Sequence, residues 1–195
     1  MKSILLPSLL KILLIILLNT NQTFYYAQNN KFGIVIHGGA GTILKERFSE
    51  EELSLYTAKL KEAIEAGYQI LENDGSSLDA VVEAIKILED APIFNAGKGA
   101  VLTNKGTAEL DASIMNGLNL EAGAVAGLKH VKNPITLARM VMEKSPHVFL
   151  IGEGAEEFAK ENKIEFADQS YFIINERKEQ LEKIKQRELE ENKHG

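Results

Sequence analysis

The chain has 195 residues, of which 45% are hydrophobic and 26% charged, a balance typical of a globular domain rather than of a disordered protein. Its net charge of -6, without a basic patch, argues against nucleic acid and anionic membrane surfaces as partners. It contains no cysteine, which excludes disulfides, thiolate metal sites and a cysteine nucleophile.

Residues 1–27 have the pattern of a secretory signal peptide. A basic start at Lys2 precedes an apolar stretch, and the small residue Ala27 follows a polar run. The apolar stretch is short for a bilayer span and is interrupted by Pro7 and Lys11. The sequence therefore predicts export to the periplasm or the extracellular space, with a retained membrane anchor as the alternative.

A strand, a turn and a helix are predicted next. The segment 32–36, Phe-Gly-Ile-Val-Ile, is rich in β-branched residues and predicts a buried strand. It ends in a flexible turn, His-Gly-Gly-Ala-Gly at 37–41. A capping box of Ser49 and Glu52 then opens a pattern of apolar residues spaced three and four apart, which predicts an amphipathic helix over residues 50–73.

A second helix and a constrained loop follow. Asn-Asp-Gly at 73–75 ends the first helix, and Ser76 caps the second. The segment 91–99, with one proline and two glycines, predicts a loop. Asn95 in this loop could donate its amide to a substrate, hold the neighbours of a nucleophile, or be only a turn former.

Strands and helices are mixed along the rest of the body. Residues 110–115 and 120–127 predict two strands, and the small residues of the second predict close packing against a neighbouring backbone. Pro134 at the first turn starts a helix that continues to residue 144. A further buried strand is predicted at 148–151 and a helix at 153–161, so the class is α+β or layered α/β.

The composition changes at about residue 168. Residues 176–193 are almost all charged or polar, which predicts a solvated helix or a mobile tail. The expected organisation is a signal peptide (1–27), a folded part (28–167) and a charged, mobile linker (168–195).

Local chemistry alone does not define a reaction. The turn at 37–41 lacks the dinucleotide fingerprint, and no Gly-Lys-Ser/Thr follows it. The four histidines are not at metal-ligand spacing from one another, so each is expected to be structural. The Gly-x-Ser-x-Gly motif of serine hydrolases is absent from the sequence.

Five motifs nevertheless occur in a specific order. They are His-Gly-Gly-Ala-Gly at 37–41, Phe-Asn-Ala-Gly-Lys-Gly at 94–99, Glu-Leu-Asp-Ala-Ser-Ile-Met at 109–115, Gly-Ala-Val-Ala-Gly at 123–127, and Ser-Pro-His-Val at 145–148 with Ile-Gly-Glu-Gly at 151–154. Together they closely resemble the plant-type L-asparaginase family, also called isoaspartyl peptidases. The resemblance covers residues 32 to 160, which is most of the chain after the predicted signal peptide.

This resemblance implies a fold and a mode of activation. The fold is an α+β, four-layer αββα sandwich of the N-terminal-nucleophile hydrolase type, of which this chain would be the first half. The precursor would cut itself between a glycine and a threonine, and the new N-terminal Thr would be the nucleophile with its own α-amine as the base. In relatives the cut often falls after His-Gly, and this chain ends His194-Gly195. Gly195 is thus the expected cleavage position, and the chain an α subunit that is inactive alone.

The resemblance also implies supporting roles for residues of this chain. Asn95 matches the family's asparagine that lies against the nucleophile. The loop beside it is matched by His37, Gly38, Gly39 and Gly41. A sodium-binding loop is implied at 88–98, with backbone carbonyls as ligands from Leu88, Glu89, Ala91, Phe94, Ala96 and Lys98. The sodium ion would stiffen the loop that presents Asn95, and no organic cofactor is expected.

The expected activity is hydrolysis of small substrates, L-asparagine and β-aspartyl (isoaspartyl) dipeptides. The implied partner is a β subunit from the same precursor, in an (αβ)2 heterotetramer. A glycosylasparaginase is the alternative enzyme, although the strings at 94–99 and 109–115 favour the first activity. A truncated, non-catalytic chain is the alternative from a different class.

Overall fold

The computed structural model describes residues 32–39, 46 and 48–194, with the side chains of residues 193 and 194 excepted. The predictions made for residues 1–27, Gly41 and Gly195 lie outside the described residues. In chain order the elements are α1 (Glu50–Glu72), α2 (Ser77–Asp90), β1 (Leu110–Met115), β2 (Ala122–Leu128), α3 (Pro134–Lys144), β3 (Phe149–Ile151), α4 (Gly152–Glu161), α5 (Gln169–Phe172) and α6 (Asn175–His194). Within the described ranges, each helix is too short or too polar to span a bilayer.

The helix boundaries follow the local signals in the sequence. The capping box before α1 is confirmed, because Ser49 Oγ accepts from the Glu52 amide (3.1 Å) and Glu52 Oε2 accepts from the Ser49 amide (2.8 Å). At the other end of α1, the Gly75 amide turns back to the Ile70 carbonyl at 2.8 Å. These bonds satisfy backbone groups that a helix end leaves without partners.

Helices α1 and α2 pack closely, and α2 is joined to α3. A Cβ added to Gly67 of α1 would lie 2.9 Å from the Ala80 carbonyl of α2, so only glycine allows this approach. Arg139 of α3 donates through Nη1 to Asp79 Oδ1 at the start of α2, at 2.6 Å. The two helices and α3 therefore form a connected helical side of the fold.

The sheet has the order β1-β2-β3, with β1 antiparallel and β3 parallel to β2. A bulge interrupts the β1–β2 register, where Gly127 has a φ of 65° and donates its amide to Asp111 Oδ1 at 2.8 Å. Strand β2 begins at Ala122, two residues later than predicted. Leu120 has a φ of 64°, a left-handed conformation that belongs to the connecting turn and not to a strand.

Helix α3 covers one face of the sheet. A Cβ added to Gly123 of β2 would overlap the Ala138 carbonyl, which confirms the predicted close packing of this small-residue strand. The buried core of this layer includes Leu110, Ile114, Val125, Leu128, Val131, Ile135, Leu137, Ala138, Val141, Ala155, Ala159 and Phe172. The core thus lies between the sheet and the helices on this side.

The opposite face of the sheet is uncovered in the described part of the chain. We call it the open face, and it consists of Ser113, Met115, Ala122, Ala124, Ala126, Phe149 and Ile151. Met115 is 58%, Phe149 52% and Ile151 63% exposed. The prediction of a buried strand at 148–151 was therefore wrong about burial, because two of the three β3 side chains point to the open face.

The prediction of a strand at 32–36 was also wrong. Residues 32–39 are neither helix nor strand, and Val35 is 94% exposed. A β-branched run favours extended backbone, but a strand also requires a hydrogen-bonded neighbour. The three-stranded sheet pairs only β1, β2 and β3.

After α4, the chain first packs against the core through α5 and then forms the more exposed helix α6. Gln169 of α5 donates to the Ala108 carbonyl (3.1 Å) and accepts from the Ala108 amide (3.0 Å), and Phe172 is fully buried. Helix α6 follows, with Ile184 and Leu189 exposed on it. The solvated-helix alternative describes α6, and the domain boundary at residue 168 stays a prediction.

Glu156 ties α4 to the chain that follows β2. Its Oε1 accepts from the amides of Lys129 (2.7 Å) and His130 (2.8 Å), and its Oε2 lies 3.0 Å from Nδ1 of His130. Burial acts to raise the pKa of Glu156, but the hydrogen bonds from His130 and from the two amides outweigh it and hold the pKa below its usual range.

A carboxylate with a lowered pKa stabilises the fold when it is ionised. The Glu156 contribution should be present above an unfolded-state pKa of about 4.3 and disappear as the pH falls through the lower folded value. The full-length protein means here this chain together with the β subunit expected from the same precursor. Urea unfolding of that protein should show Glu156→Ala less stable than wild type by about 2 kcal/mol at pH 7, and by clearly less at pH 3. Glu157→Ala, at an exposed neighbour, should match wild type. A Glu156→Ala deficit that is independent of pH would contradict this assignment.

Candidate functional site

The chain between α2 and β1 begins with a tight loop, residues 91–99, that contains Asn95 and is called the Asn95 loop below. The ring of Phe94 is buried and meets Tyr56 of α1 edge-on, with 5.6 Å between centroids. The Tyr56 hydroxyl donates to the Ile93 carbonyl at 2.8 Å. Helix α1 therefore holds the Asn95 loop from one side.

Two glycines fix the path of the loop. Gly97 has a φ of 47° and Gly99 a φ of 102°, both in the left-handed range that favours glycine. A Cβ on Gly97 would overlap the Glu89 carbonyl, and one on Gly99 would overlap the Pro92 carbonyl. The loop backbone is thus folded against the end of α2, with no room for a side chain at either position.

Asn95 lies on the surface of this fixed loop. Its Oδ1 accepts a hydrogen bond from the Val101 amide at 2.8 Å, which sets the plane of the side-chain amide. Its Nδ2 donates to none of the described residues. The loop therefore holds an exposed amide donor in a fixed orientation.

The structure brings the predicted His37 to Gly39 segment next to the Asn95 loop. A Cβ on Gly38 would lie 3.6 Å from Cε1 of Phe94 and 3.0 Å from a methyl group of Leu60. His37 accepts the Gly39 amide on Nδ1 at 3.2 Å, and Gly39 has a φ of 125°. The two motifs that the sequence placed far apart are therefore neighbours.

The predicted sodium ligands belong to the same loop and the end of α2. They are the carbonyls of Leu88, Glu89, Ala91, Phe94, Ala96 and Lys98. The first three each accept a hydrogen bond from an amide within 88–98, which leaves a second lone pair on the oxygen. The last three accept none from the described residues. Oxygen donors with free lone pairs are what a hard cation binds, so this set fits sodium chemically.

Side chains offer no alternative metal centre in the described ranges. Among residues 32–39, 46 and 48–194, no group of three His, Asp or Glu side chains could hold a metal ion. A cation bound near Asn95 would therefore depend on backbone carbonyls, whose position is fixed by the glycines of the loop.

Glu89, at the end of α2, is a buried carboxyl beside this loop. It is 4% exposed, and its Oε1 accepts from the Ile135 amide at the start of α3, at 3.0 Å. Its Oε2 is buried without a hydrogen-bond partner among the described residues. Burial raises the pKa of Glu89 to about 8. The Glu89 carboxyl thus links the end of α2 to the α3 N-terminus, with one of its oxygens unpaired among the described residues.

Changing Glu89 should affect stability through this link. Glu89→Ala should lower the free energy of unfolding of the full-length protein by about 3 kcal/mol, because the Ile135 amide loses its buried acceptor and a cavity remains. Glu89→Gln keeps an oxygen for Ile135 and should cost less than about 1 kcal/mol. Urea unfolding of both variants checks this. Equal losses would show that the hydrogen bond to Ile135 is not what matters.

The segment after residue 168 also contacts the Asn95 loop, and these contacts were not predicted from the sequence. The Gly99 amide donates to the Phe172 carbonyl at 3.0 Å, and Arg177 Nε donates to the Gly99 carbonyl at 2.6 Å. The Lys98 ammonium lies 5.3 Å from the centroid of the Tyr171 ring. In the sequence these residues begin a charged tail, and no local pattern indicates a contact 78 positions away.

Comparison with known proteins places this α+β body in a family with the N-terminal-nucleophile fold. The sequence model of the family described as asparaginase matches residues 30–195, and the chain belongs to that family. The resemblance seen in the five sequence motifs is therefore confirmed.

Individual relatives agree with this assignment. The chain is similar to the isoaspartyl peptidase of Salmonella typhimurium, with 54% identity over 130 residues, or 67% of this chain and 42% of that protein. It is similar to the plant-type L-asparaginase of Thermococcus kodakarensis, with 52% identity over 163 residues, or 83% and 51%. For the Pyrococcus abyssi plant-type L-asparaginase the identity is 58% over 127 residues, or 65% and 40%. The chain spans about half of the length of these curated relatives, or less.

Proposed function

We propose that this chain is the α-subunit part of an amidohydrolase that acts on L-asparagine and β-aspartyl dipeptides. The observation that carries the proposal is the exposed amide of Asn95, held on a glycine-fixed loop beside His37 to Gly39. Membership of the asparaginase family and relatives named isoaspartyl peptidase and plant-type L-asparaginase support this choice of substrates.

The reacting group is a threonine that becomes N-terminal when the precursor cuts itself after Gly195. Its free α-amine has an ordinary pKa near 8, so at neutral pH the amine can accept the hydroxyl proton as the oxygen attacks the side-chain amide carbon. Asn95 donates its Nδ2 hydrogens to groups next to the nucleophile and holds them in place. The position of the cut rests on the family resemblance and on the His194-Gly195 pair.

The proposed fold of the whole protein is the four-layer αββα sandwich. The open face supports it, because Met115, Phe149 and Ile151 are large apolar side chains that gain stability when another layer removes them from water. A second sheet, from the β subunit of the same precursor, is the layer that completes the sandwich. Two such αβ units form the (αβ)2 assembly.

Export by a signal peptide at residues 1–27 remains part of the proposal. So does the structural sodium ion, which the carbonyls of Leu88, Glu89, Ala91, Phe94, Ala96 and Lys98 would hold. When bound, the ion would supply rigidity to the Asn95 loop and no chemistry of its own.

Removing sodium should therefore lower activity without removing substrate binding. We expect kcat of the full-length protein to fall by about tenfold in a buffer of tetramethylammonium chloride, because this ion is too large for the loop, and to recover when sodium is added. As the control for ionic strength, an equal concentration of tetramethylammonium chloride is added in place of the sodium chloride, and it should not restore kcat. Unchanged kinetics in the sodium-free buffer would contradict the coupling between the ion and Asn95.

The substrate assignment is tested with the purified full-length protein and three substrates. We expect hydrolysis of L-asparagine and of a β-aspartyl dipeptide, measured by the release of ammonia and of the second amino acid. We expect no release of sugar from N-acetylglucosaminyl-asparagine. Cleavage of the glycosylated substrate alone would favour the glycosylasparaginase alternative, and hydrolysis of none would favour a non-catalytic chain.

A further inference from the structure

We propose that Arg177 is a positioning residue that sets the geometry of Asn95 through Gly99, an inference that rests on the proposed function of Asn95. Arg177 lies in the first turn of α6, within the charged tail, and does not contact Asn95 directly. Its effect is transmitted through the backbone of the Asn95 loop.

The first step of this connection is a clasp on Gly99. Arg177 Nε donates to the Gly99 carbonyl at 2.6 Å, and the Gly99 amide donates to the Phe172 carbonyl at 3.0 Å. Both polar groups of this glycine are therefore held by the short segment 172–177. Because Phe172 is fully buried, this segment is anchored in the core at that residue.

The second step leads from Gly99 to Asn95. Two residues after Gly99, the Val101 amide donates to Asn95 Oδ1 at 2.8 Å. Between them, the Ala100 amide donates to the Gly97 carbonyl at 3.2 Å. A shift of Gly99 would therefore move the donor that sets the plane of the Asn95 amide.

Other contacts hold the Arg177 side chain in the orientation that reaches Gly99. The side chain is half-buried, and its Nη1 donates to Gln180 Oε1 at 2.8 Å while Nε faces Gly99. Leu181, one turn further along α6, lies 3.9 Å from where a Cβ of Gly106 would be. The planar guanidinium makes two divergent bonds at once, and its charge strengthens the bond to a carbonyl.

The rest of α6 offers a matched comparison. Arg187 is 68% exposed, and its Nε lies 4.0 Å from the equally exposed Glu191 carboxylate. Such a surface pair contributes little. The tail therefore contains one arginine that holds the Asn95 loop and another, on the same helix, that serves as a control.

The kinetic test compares Arg177→Met, Arg177→Lys and Arg187→Met in the full-length protein, with rates expressed per mole of cleaved protein. Arg177→Met should lower kcat on L-asparagine about tenfold and leave KM within about twofold, because Asn95 acts on the nucleophile and not on bound substrate. Arg177→Lys should recover part of kcat, since an ammonium can still reach a carbonyl. Arg187→Met should match wild type.

A second readout does not depend on activity. Hydrogen exchange of the Val101 amide should be at least about tenfold faster in Arg177→Met than in wild type or Arg187→Met, because the loop that holds it opens more often. If wild type hydrolyses no substrate, the proposed function fails while this exchange result still decides whether Arg177 holds the loop. A normal kcat per cleaved molecule, or unchanged exchange at Val101, would overturn the inference.

Discussion

Replacing Asn95 with aspartate should remove most of the activity of the full-length protein while the Asn95 loop stays folded. In the structure, Asn95 Oδ1 accepts from the Val101 amide at 2.8 Å. Aspartate keeps an oxygen at that position, but it has no amide hydrogens to donate. If Asn95 acts through its donor, kcat on L-asparagine should fall about 100-fold or more, with little change in thermal stability. Asn95→Ala should lose activity to the same extent and also lose about 1 kcal/mol of stability.

The control for this experiment makes the same chemical change elsewhere. Asn119 Oδ1 accepts the Glu121 amide at 3.1 Å in the turn before β2, so Asn119→Asp alters a similar local bond away from the loop. It should leave kcat at the wild-type value. If Asn95→Asp were as active as Asn119→Asp, Asn95 would be only a turn former, and its proposed role beside the nucleophile would be wrong.

The open face should make this chain self-associate when it is produced alone. Three of its side chains, Met115, Phe149 and Ile151, are more than half exposed, and burial of each is worth about 1.5 to 3 kcal/mol. Light scattering of residues 28–195 should therefore show large or mixed species. The full-length protein should give one defined assembly, because the proposed β subunit would cover the open face.

Serine at these three positions should have opposite effects on residues 28–195 alone and on the full-length protein. Met115→Ser, Phe149→Ser and Ile151→Ser together should make residues 28–195 less aggregated, and should weaken assembly of the full-length protein. The control is the double variant Ile184→Ser with Leu189→Ser, on exposed apolar residues of α6. It should change neither the aggregation of residues 28–195 nor the assembly of the full-length protein. A monodisperse, cooperatively folding monomer of unmodified residues 28–195 would contradict the claim that the open face needs a partner.

The helices could be predicted because their signals are local. The capping bond between Ser49 and Glu52 joins residues three apart, and the apolar spacing of α1 is read within its own length. Pro134 likewise stands at the start of α3, where it was expected. Such features need no knowledge of the rest of the fold.

The strands could be predicted less well, because a strand depends on its neighbours. Residues 110–115 were predicted with the correct bounds, yet the equally suitable run at 32–36 forms no strand. Burial of 148–151 was inferred from its apolar residues, but β3 exposes Phe149 and Ile151 because no described element covers that side of the sheet. Propensity gives the extended backbone, while pairing and burial come from the tertiary structure.

The candidate site shows the same division. Residue chemistry left Asn95 between a functional residue and a turn former, and only the ordered motifs favoured the first. The Val101 amide sets the plane of the Asn95 side chain, and Arg177, in a tail whose composition predicts only a solvated helix or a mobile segment, bonds to Gly99 of the same loop. A contact between residues 99 and 177 carries no periodic or local pattern, so sequence reasoning had nothing to detect.

In the proposed function, this chain supports a threonine that is exposed by a cut after Gly195. Mass spectrometry and N-terminal sequencing of the purified full-length protein test this most directly. We expect two fragments, one ending at Gly195 and one beginning with threonine, and loss of both cleavage and activity when that threonine is replaced by alanine. An uncut protein that still hydrolyses L-asparagine would contradict it.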